Sequence, residues 1–385
     1  MRVLLLHNIV NPHMTAVFDR LGAMEGIDLR VAYFAATEGD RKWAEALDTK
    51  TSSHILPGKE FNLFTSWDYL SVHYNPGLRH WMREVAWDVL INSGWASPSQ
   101  WQAFLECRKQ RKPHVLWAGS TPLETSWRRS LTRPLVKYMV RNSDAWVSYG
   151  TASAQYLKQL GAGEVLPSFH CVDNDRFLTR LEQTRPLRDQ LRVQLGITGK
   201  RIVLYVGRLI ERKGLEALVS AFRTVATRFP DAVLVLAGEG PIRAKLETQA
   251  GPSLQKQIHF VGNVKLDDLP AYYGLADAFV LPSLEEVWGL VINEAALASL
   301  PLIVTTCCGA AADLLRDGEN GYLVMPGSSA ALEEALLKLL SDPVRARQMG
   351  EESRRLVNRC SPDGVSTVLA QAVRRAAGEA GGGHR

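Results

Sequence analysis

The sequence predicts an α/β protein built as two α/β domains in tandem. Short apolar runs recur along the chain, each followed by a longer stretch of helical periodicity, which is the pattern of parallel strands covered on both faces. The series of runs stops and then starts afresh near residue 200. A chain of 385 residues, 46% of them hydrophobic, is also longer than one hydrophobic core usually organises.

The first series begins with Val3–His7, a buried-strand pattern, and passes through a loop containing Pro12 into an amphipathic segment that ends near Leu21. Strand-like runs follow at Leu29–Phe34, Val89–Ile91, Val115–Trp117 and Ala145–Val147. The second series reads Ile202–Val206, Val233–Ala237, His259–Val261, Ala278–Leu281 and Leu302–Val304. Between the two lies Phe177–Gly199, a charged stretch with Pro186, Gly196 and Gly199 and no strand pattern, so the domain boundary is expected there. The expected domains are residues 1–180 and 195–360, with a terminal helix at about 361–376 returning to the first and a disordered glycine-rich tail at 377–385. Nine of the ten tryptophans lie at or before Trp146, so the halves differ in composition and are expected to differ in task.

Net charge is +5 and the isoelectric point about 8.9, too modest to imply a nucleic-acid partner. The five cysteines show no C-x-x-C spacing, and adjacent Cys307 and Cys308 are a poor framework for a disulfide, so a reducing cytoplasm is expected. No apolar run is long enough to cross a bilayer, and any membrane role would be exercised at its surface. One segment has the composition for that: Arg128, Arg129, Arg133, Lys137 and Arg141 alternate with Trp127, Leu131, Leu135, Tyr138 and Met139. A basic amphipathic helix of this kind either binds anionic lipid or is simply a solvated face.

Chemistry concentrates in the second half. Between Ser283 and Ala295, Glu286 precedes a glycine-headed helix and Glu294 lies within it. Gly289 and the helix start suit a phosphate group, and the two carboxylates suit hydroxyls on either side; an acidic, solvated helix start is the plainer alternative. The segment Tyr205–Gly214 places Gly207, Arg208 and Lys213 just past a strand end, where open α/β sheets hold ligands. Arginine can grip phosphate oxygens in pairs and lysine supplies a point charge. Gly238-Glu-Gly-Pro241 and Val261-Gly-Asn-Val264 are further strand ends, each weak by itself.

Taken together, these strings resemble the donor-binding domain of retaining glycosyltransferases of the GT-B fold, family 4. The likeness runs through Gly207-Arg208-Leu209, Lys213-Gly214, Gly238–Pro241, Val261-Gly262, Tyr272-Tyr273, Ala276-Asp277, Pro282-Ser283, Glu286, Gly289-Leu290 and Glu294. It continues through Pro301, Gly309, Gly318–Gly321 and Pro326-Gly327, and so covers about residues 200–355. The resemblance implies two Rossmann-like domains facing a central cleft. It assigns Arg208 and Lys213 to the diphosphate, Glu286 to the donor sugar and Glu294 to the ribose. Gly207, Val287, Trp288, Gly289 and Leu290 would line the donor, and Gly262, Asn263 and Val264 would frame the base. Glu286 and Glu294 form the E-x7-E pattern, with Trp288 in place of the usual phenylalanine and Val287 in place of the usual proline. The implied chemistry uses a nucleotide-diphosphate sugar as co-substrate, UDP by default with GDP open, and needs no metal, cofactor or enzyme nucleophile.

The first half resembles the family less. Asp144–Gly150, Tyr156-Leu157, Leu160-Gly161 and Val172-Asp173 with Phe177 fit, but Asn8–Met14 stands where many members have a glycine-rich loop. Ala118-Gly119-Ser120 stands where many carry a histidine. His13, Ser120 and Glu124 are the acceptor-side candidates. The expected acceptor is a sugar or lipid-linked glycan, in bacterial glycan or glycoconjugate assembly, at the inner face of the membrane or free in the cytoplasm. Rivals are a natural-product glycosyltransferase, a non-hydrolysing nucleotide-sugar epimerase, and a catalytically silent nucleotide-sugar-binding subunit. Oligomeric state is not readable from these features.

Overall fold

The structure, a computed structural model, describes residues 1–37, 50–64, 69–122, 127–197 and 201–378. The chain forms two compact units: Met1–Asp173 together with Cys360 onward, and Asn174–Arg359.

The first unit contains strands β1 (Arg2–Ile9), β2 (Asp28–Ala35), β3 (Ser52–Ile55), β4 (Lys59–Phe64), β5 (Tyr69–Tyr74), β6 (Val89–Asn92), β7 (His114–Ala118), β8 (Ala145–Tyr149) and β9 (Val165–Ser168). Its helices are α1 (Pro12–Gly22), α2 (Leu78–Glu84), α3 (Pro98–Lys109), α4 (Trp127–Arg141) and α5 (Gly150–Leu160), joined by a terminal helix Pro362–Ala376. Among the described residues the main sheet runs β3-β2-β1-β6-β7-β8-β9, and β4 and β5 form a separate antiparallel pair. β1 lies between parallel partners, with Leu5 opposite Val31 on one side and Ile91 on the other. A central strand buried on both faces needs apolar side chains without alternation, which is what Val3-Leu4-Leu5-Leu6 supplies, all 0–1% exposed. The terminal helix packs against α1, β8 and β9, so both ends of the chain belong to this unit.

The second unit contains α6 (Asn174–Gln183), α7 (Arg185–Gln194), β10 (Arg201–Val206), α8 (Leu215–Arg228), β11 (Ala232–Ala237), α9 (Arg243–Leu254), β12 (Ile258–Gly262), α10 (Leu269–Leu275) and β13 (Ala278–Leu281). It continues with α11 (Leu290–Leu297), β14 (Leu302–Thr305), α12 (Ala311–Leu314), β15 (Gly321–Val324), α13 (Ser329–Ser341) and α14 (Pro343–Val357); the terminal helix of the first unit is then α15. The sheet order is β12-β11-β10-β13-β14-β15, every recorded pairing parallel. The charged stretch Phe177–Gly199, expected to hold the domain boundary, is mostly helical instead. Its helices α6 and α7 belong to the second unit, and the chain enters that unit after Asp173. Their charges lie on exposed faces, which is why the stretch reads as a linker by composition.

The sheet order fixes where a ligand can approach. From β10 the chain winds outward through β11 and β12, then returns to place β13 on the other side of β10. The connections therefore diverge between β10 and β13, leaving a crevice at the carboxyl ends of those two strands. The residues just past them are Gly207–Lys213 and Pro282–Gly289.

Candidate active site in the second unit

Past β10, the backbone of Gly207 takes φ 146°, and the buried Tyr205 hydroxyl donates to the Arg208 carbonyl at 2.8 Å. Glu211–Lys213 then forms a single 3-10 turn, closed by Gly214 at φ 64°. Only glycine fits there: the conformation is left-handed and a Cβ would overlap the Pro282 carbonyl oxygen on the neighbouring strand end. The Leu284 amide donates to the Arg212 carbonyl at 2.8 Å, and the Arg212 guanidinium reaches the Glu285 carbonyl at 3.3 Å. The two strand ends are thus laced together by one backbone bond and one side-chain bond to a carbonyl.

Across that seam Lys213 Nζ pairs with Glu286 Oε2, each side chain 13% exposed. Two residues singled out separately in the sequence, on different strand ends, are thereby brought into one ion pair. Gly289, at φ 93°, caps α11, and its α-carbon faces Ile292, Leu281 and the Glu286 side chain. Trp288 is 3% exposed and its indole N–H donates to Asn293 Oδ1 at 2.9 Å, which fixes the turn to the helix it precedes. On the far side, the Gly309 amide donates to the Glu286 carbonyl at 3.1 Å and the Ala310 amide to the Trp288 carbonyl at 3.0 Å. Main-chain bonds therefore hold Glu286, Val287 and Trp288 from both flanks.

Glu294 points elsewhere. It sits in the second turn of α11, 5% exposed, and accepts from the Tyr273 hydroxyl at 2.6 Å. Desolvation raises its pKa to about 7, with the Tyr273 bond opposing. Tyr273, itself fully buried, was part of the sequence pattern without a role; its partner becomes visible only when α10 packs beside α11.

At the end of β12, Gly262 turns at φ 75° and the chain passes through Asn263 and Val264. This turn borders a cavity of about 440 Å³ lined by Leu191, Val261, Asn263, Val264, Asp268 and Tyr272 among others. By contrast, Gly238 and Gly240 are explained by packing: a Cβ at either would overlap the carbonyl oxygen of Gly207 or Leu209. Among the described residues no group of three or more His, Cys, Asp or Glu is arranged to hold a metal ion.

The acceptor-side candidates belong to the first unit. His13 lies in the first turn of α1 and not on a loop: Asn11 caps the helix, and its Oδ1 accepts from the His13 amide at 3.0 Å. Ser120 follows β7, and Glu124 lies outside the described residues. A histidine not singled out in the sequence, His170, stacks on Tyr149 at 4.6 Å and 13°. Desolvation, then the charges of His13 and His7, pull its pKa down to about 3, so three histidines share the carboxyl edge of this sheet. They are far apart in sequence, and no local pattern joins them.

Residues 188–356 match the family model described as glycosyl transferases group 1. The α-D-kanosaminyltransferase of Streptomyces kanamyceticus is 33% identical over 171 residues, 44% of this chain and 44% of that protein. A GDP-mannose-dependent alpha-(1-6)-phosphatidylinositol monomannoside mannosyltransferase of Mycolicibacterium smegmatis is 30% identical over 191 residues, 48% of this chain and 49% of that protein. The chain thus spans about half the length of these curated relatives. A crystal structure of Anabaena HepE in complex with UDP superposes with a TM-score of 0.75 at 17% identity, covering 96% of this chain and 99% of that one. Likeness over nearly the whole of both chains shows the fold: GT-B, two Rossmann-like α/β domains, with the group 1 glycosyl transferase match confined to the second.

Proposed function

We propose that the chain is a retaining glycosyltransferase that moves a sugar from a nucleotide-diphosphate sugar to a hydroxyl acceptor. The observation that carries this reading is the Lys213–Glu286 pair at the divergence of β10 and β13, beside the Gly289-capped start of α11. A diphosphate entering this crevice meets Arg208, Lys213 and a helix N-terminus, and it competes with Glu286 for Lys213. Glu286 is then released toward hydroxyls of the transferred sugar, while Glu294, further along the same helix, takes the ribose. Gly207, Val287, Trp288 and Leu290 border the diphosphate and sugar, and Gly262, Asn263 and Val264 border the base.

In the reaction, the bond between the anomeric carbon and the phosphate oxygen breaks and its electron pair stays on the phosphate. Arg208, Lys213 and the α11 start stabilise that charge as it develops. The acceptor oxygen bonds the anomeric carbon from the face the phosphate leaves, and its proton passes to the departing phosphate oxygen. No enzyme nucleophile is used, so Glu286 is a positioning carboxylate and not a glycosidase-type one.

UDP is the favoured nucleotide, supported by its presence in the HepE complex; the match to a GDP-mannose-dependent enzyme keeps GDP in the test. His13, Ser120 and Glu124 are assigned to the acceptor. A lipid-linked glycan acceptor is supported by α4, where Leu131, Leu135 and Tyr138 are 69%, 58% and 53% exposed on a helix that also carries Arg133, Lys137 and Arg141. No helix among the described residues is long and apolar enough to cross a membrane, so docking would be through this face. The match to a 2-deoxystreptamine N-acetyl-D-glucosaminyltransferase of Niallia circulans, 32% identical over 183 residues, supports a small-molecule acceptor as the second reading.

A thermal-shift panel of UDP, GDP, ADP and TDP identifies the nucleotide, because a ligand bound only by the folded state raises its melting temperature. Transfer or donor hydrolysis by the purified protein should fall by about 10²–10³-fold in Lys213→Ala. Nucleotide binding without turnover on any acceptor would instead identify a silent binding subunit.

A further inference from the structure

Two adjacent cysteines lie directly behind the Glu286 turn and have no part in the reaction above. β14 ends at Thr305, and the chain turns so that the Cys308 amide donates to the Thr305 carbonyl at 3.1 Å. Successive side chains of an extended strand point to opposite faces. Here the turn brings both sulfurs to one hydroxyl: Thr305 Oγ1 is 3.3 Å from Cys307 Sγ and 3.4 Å from Cys308 Sγ. Cys307 Sγ also reaches the Ser283 carbonyl at 2.9 Å. Cys308 forms an isolated parallel bridge with Glu286, and the next amide, Gly309, donates to the Glu286 carbonyl. A change in the geometry of the pair therefore passes straight into the backbone that carries Glu286.

The two thiols are not equivalent. Cys308 is 2% exposed and burial pushes its pKa upward. Cys307 is 9% exposed beside the exposed Thr306, and the neighbouring Cys308 thiol draws its pKa below the usual thiol value against the opposing burial. The remaining cysteines, Cys107, Cys171 and Cys360, are fully buried, and burial pushes Cys107 up to about 12 and Cys171 further. Only the thiolate attacks, so Cys307, the more exposed and the more acidic of the pair, is the nucleophile and Cys308 the resolving thiol.

We propose that Cys307 and Cys308 form a thiol-modification site at which a small disulfide oxidant produces a vicinal disulfide, reshaping the Glu286 turn until it is reduced. The Cys307 thiolate attacks one sulfur of the oxidant, forming a mixed disulfide and expelling one thiolate. Cys308 then loses its proton and attacks the Cys307 sulfur, expelling the second. The pair is oxidised by two electrons and the oxidant is reduced to two thiols. Adjacent α-carbons stand about 3.8 Å apart, closer than ordinary disulfides use, which makes such a bond the labile, reversible kind. Its effect on donor binding rests on the reading of the Glu286 turn given above; its formation does not.

The test treats the full chain with oxidised glutathione, alkylates the remaining thiols, and measures the mass of the tryptic peptide Leu266–Arg316, which holds both cysteines and no other. Oxidation should remove two hydrogens from that peptide, reversibly with dithiothreitol. Cys308→Ala should stop at a glutathione adduct on Cys307. The UDP-induced thermal shift should shrink at least twofold on oxidation and recover on reduction, while the double variant Cys307→Ser/Cys308→Ala keeps its shift throughout. A peptide that stays doubly alkylated under oxidation overturns the proposal, as does an equal loss of the shift in the double variant. If no form of the protein binds UDP, the donor-site reading fails, and the peptide mass still decides the thiol chemistry.

Discussion

Replacing Glu294 by glutamine should stabilise the ligand-free protein at neutral and alkaline pH. Glu294 is buried, and the Tyr273 hydroxyl that donates to it compensates its charge only in part. Desolvation lifts its pKa from an ordinary 4.5 to about 7, and such a displacement corresponds to about 3 kcal/mol of unfavourable charging in the fold. The direction follows from proton linkage. Between those two values the folded state binds more protons than the unfolded chain, so stability falls as pH rises from about 4.5 to about 7 and stays lower above it. At pH 5 the penalty is about 1 kcal/mol and at pH 8 about 3 kcal/mol, because the folded carboxyl is protonated at the first and ionised at the second. Glutamine keeps an acceptor for Tyr273 and removes the titration. For a domain of this size about 2–4 °C accompanies each kcal/mol, so Glu294→Gln should melt about 6–12 °C above the parent at pH 8 and only about 2–4 °C above it at pH 5. Scanning calorimetry of both proteins across that range is the assay. A difference independent of pH, or a variant less stable than the parent at pH 8, would falsify the assignment of a charging penalty to Glu294.

Gly214→Ala should lower stability by at least about 2 kcal/mol, since alanine would adopt a left-handed backbone and overlap the Pro282 carbonyl. Gly318→Ala, at φ 75° with open space around it, is the matched control and should cost less; equal melting temperatures for the two would refute the packing argument. Leu135→Glu on α4 should cut co-sedimentation with vesicles containing anionic lipid without changing the melting temperature, because Leu135 is exposed. Unchanged, salt-insensitive sedimentation would leave that stripe an ordinary solvated surface.

The strands that were readable are those written as apolar runs: Val3–Leu6, Ile202–Val206 and Val233–Ala237 are buried throughout. What composition could not read was short or amphipathic. β9 carries an exposed Pro167, β15 opens at Gly321, and the helices α6 and α7 keep few buried side chains, so their charges read as a linker. For the site, motif spacing placed Lys213 and Glu286 on separate strand ends. Their pairing depends on β13 returning to the flank of β10, a fact of topology that no local window contains. The same holds for Tyr273 with Glu294 and for Tyr149 with His170, each a contact across elements.

That dependence on topology also explains why the two carboxylates are held so differently. Glu286 projects from a turn whose backbone is fixed by Gly309 and Ala310, and it keeps the Lys213 cation beside it. Glu294 projects from a helix whose buried face also carries Ile292, Ala295 and Ala296, and a hydroxyl is the partner it is seen to have there. A carboxylate already paired with a cation can be released by a competing anion, whereas one that is desolvated and undercompensated gains most from additional hydroxyl donors. In the proposed reaction these are different services. The first couples arrival of the diphosphate to exposure of Glu286, and the second lets a ribose supply the hydrogen bonds that the protein withholds from Glu294.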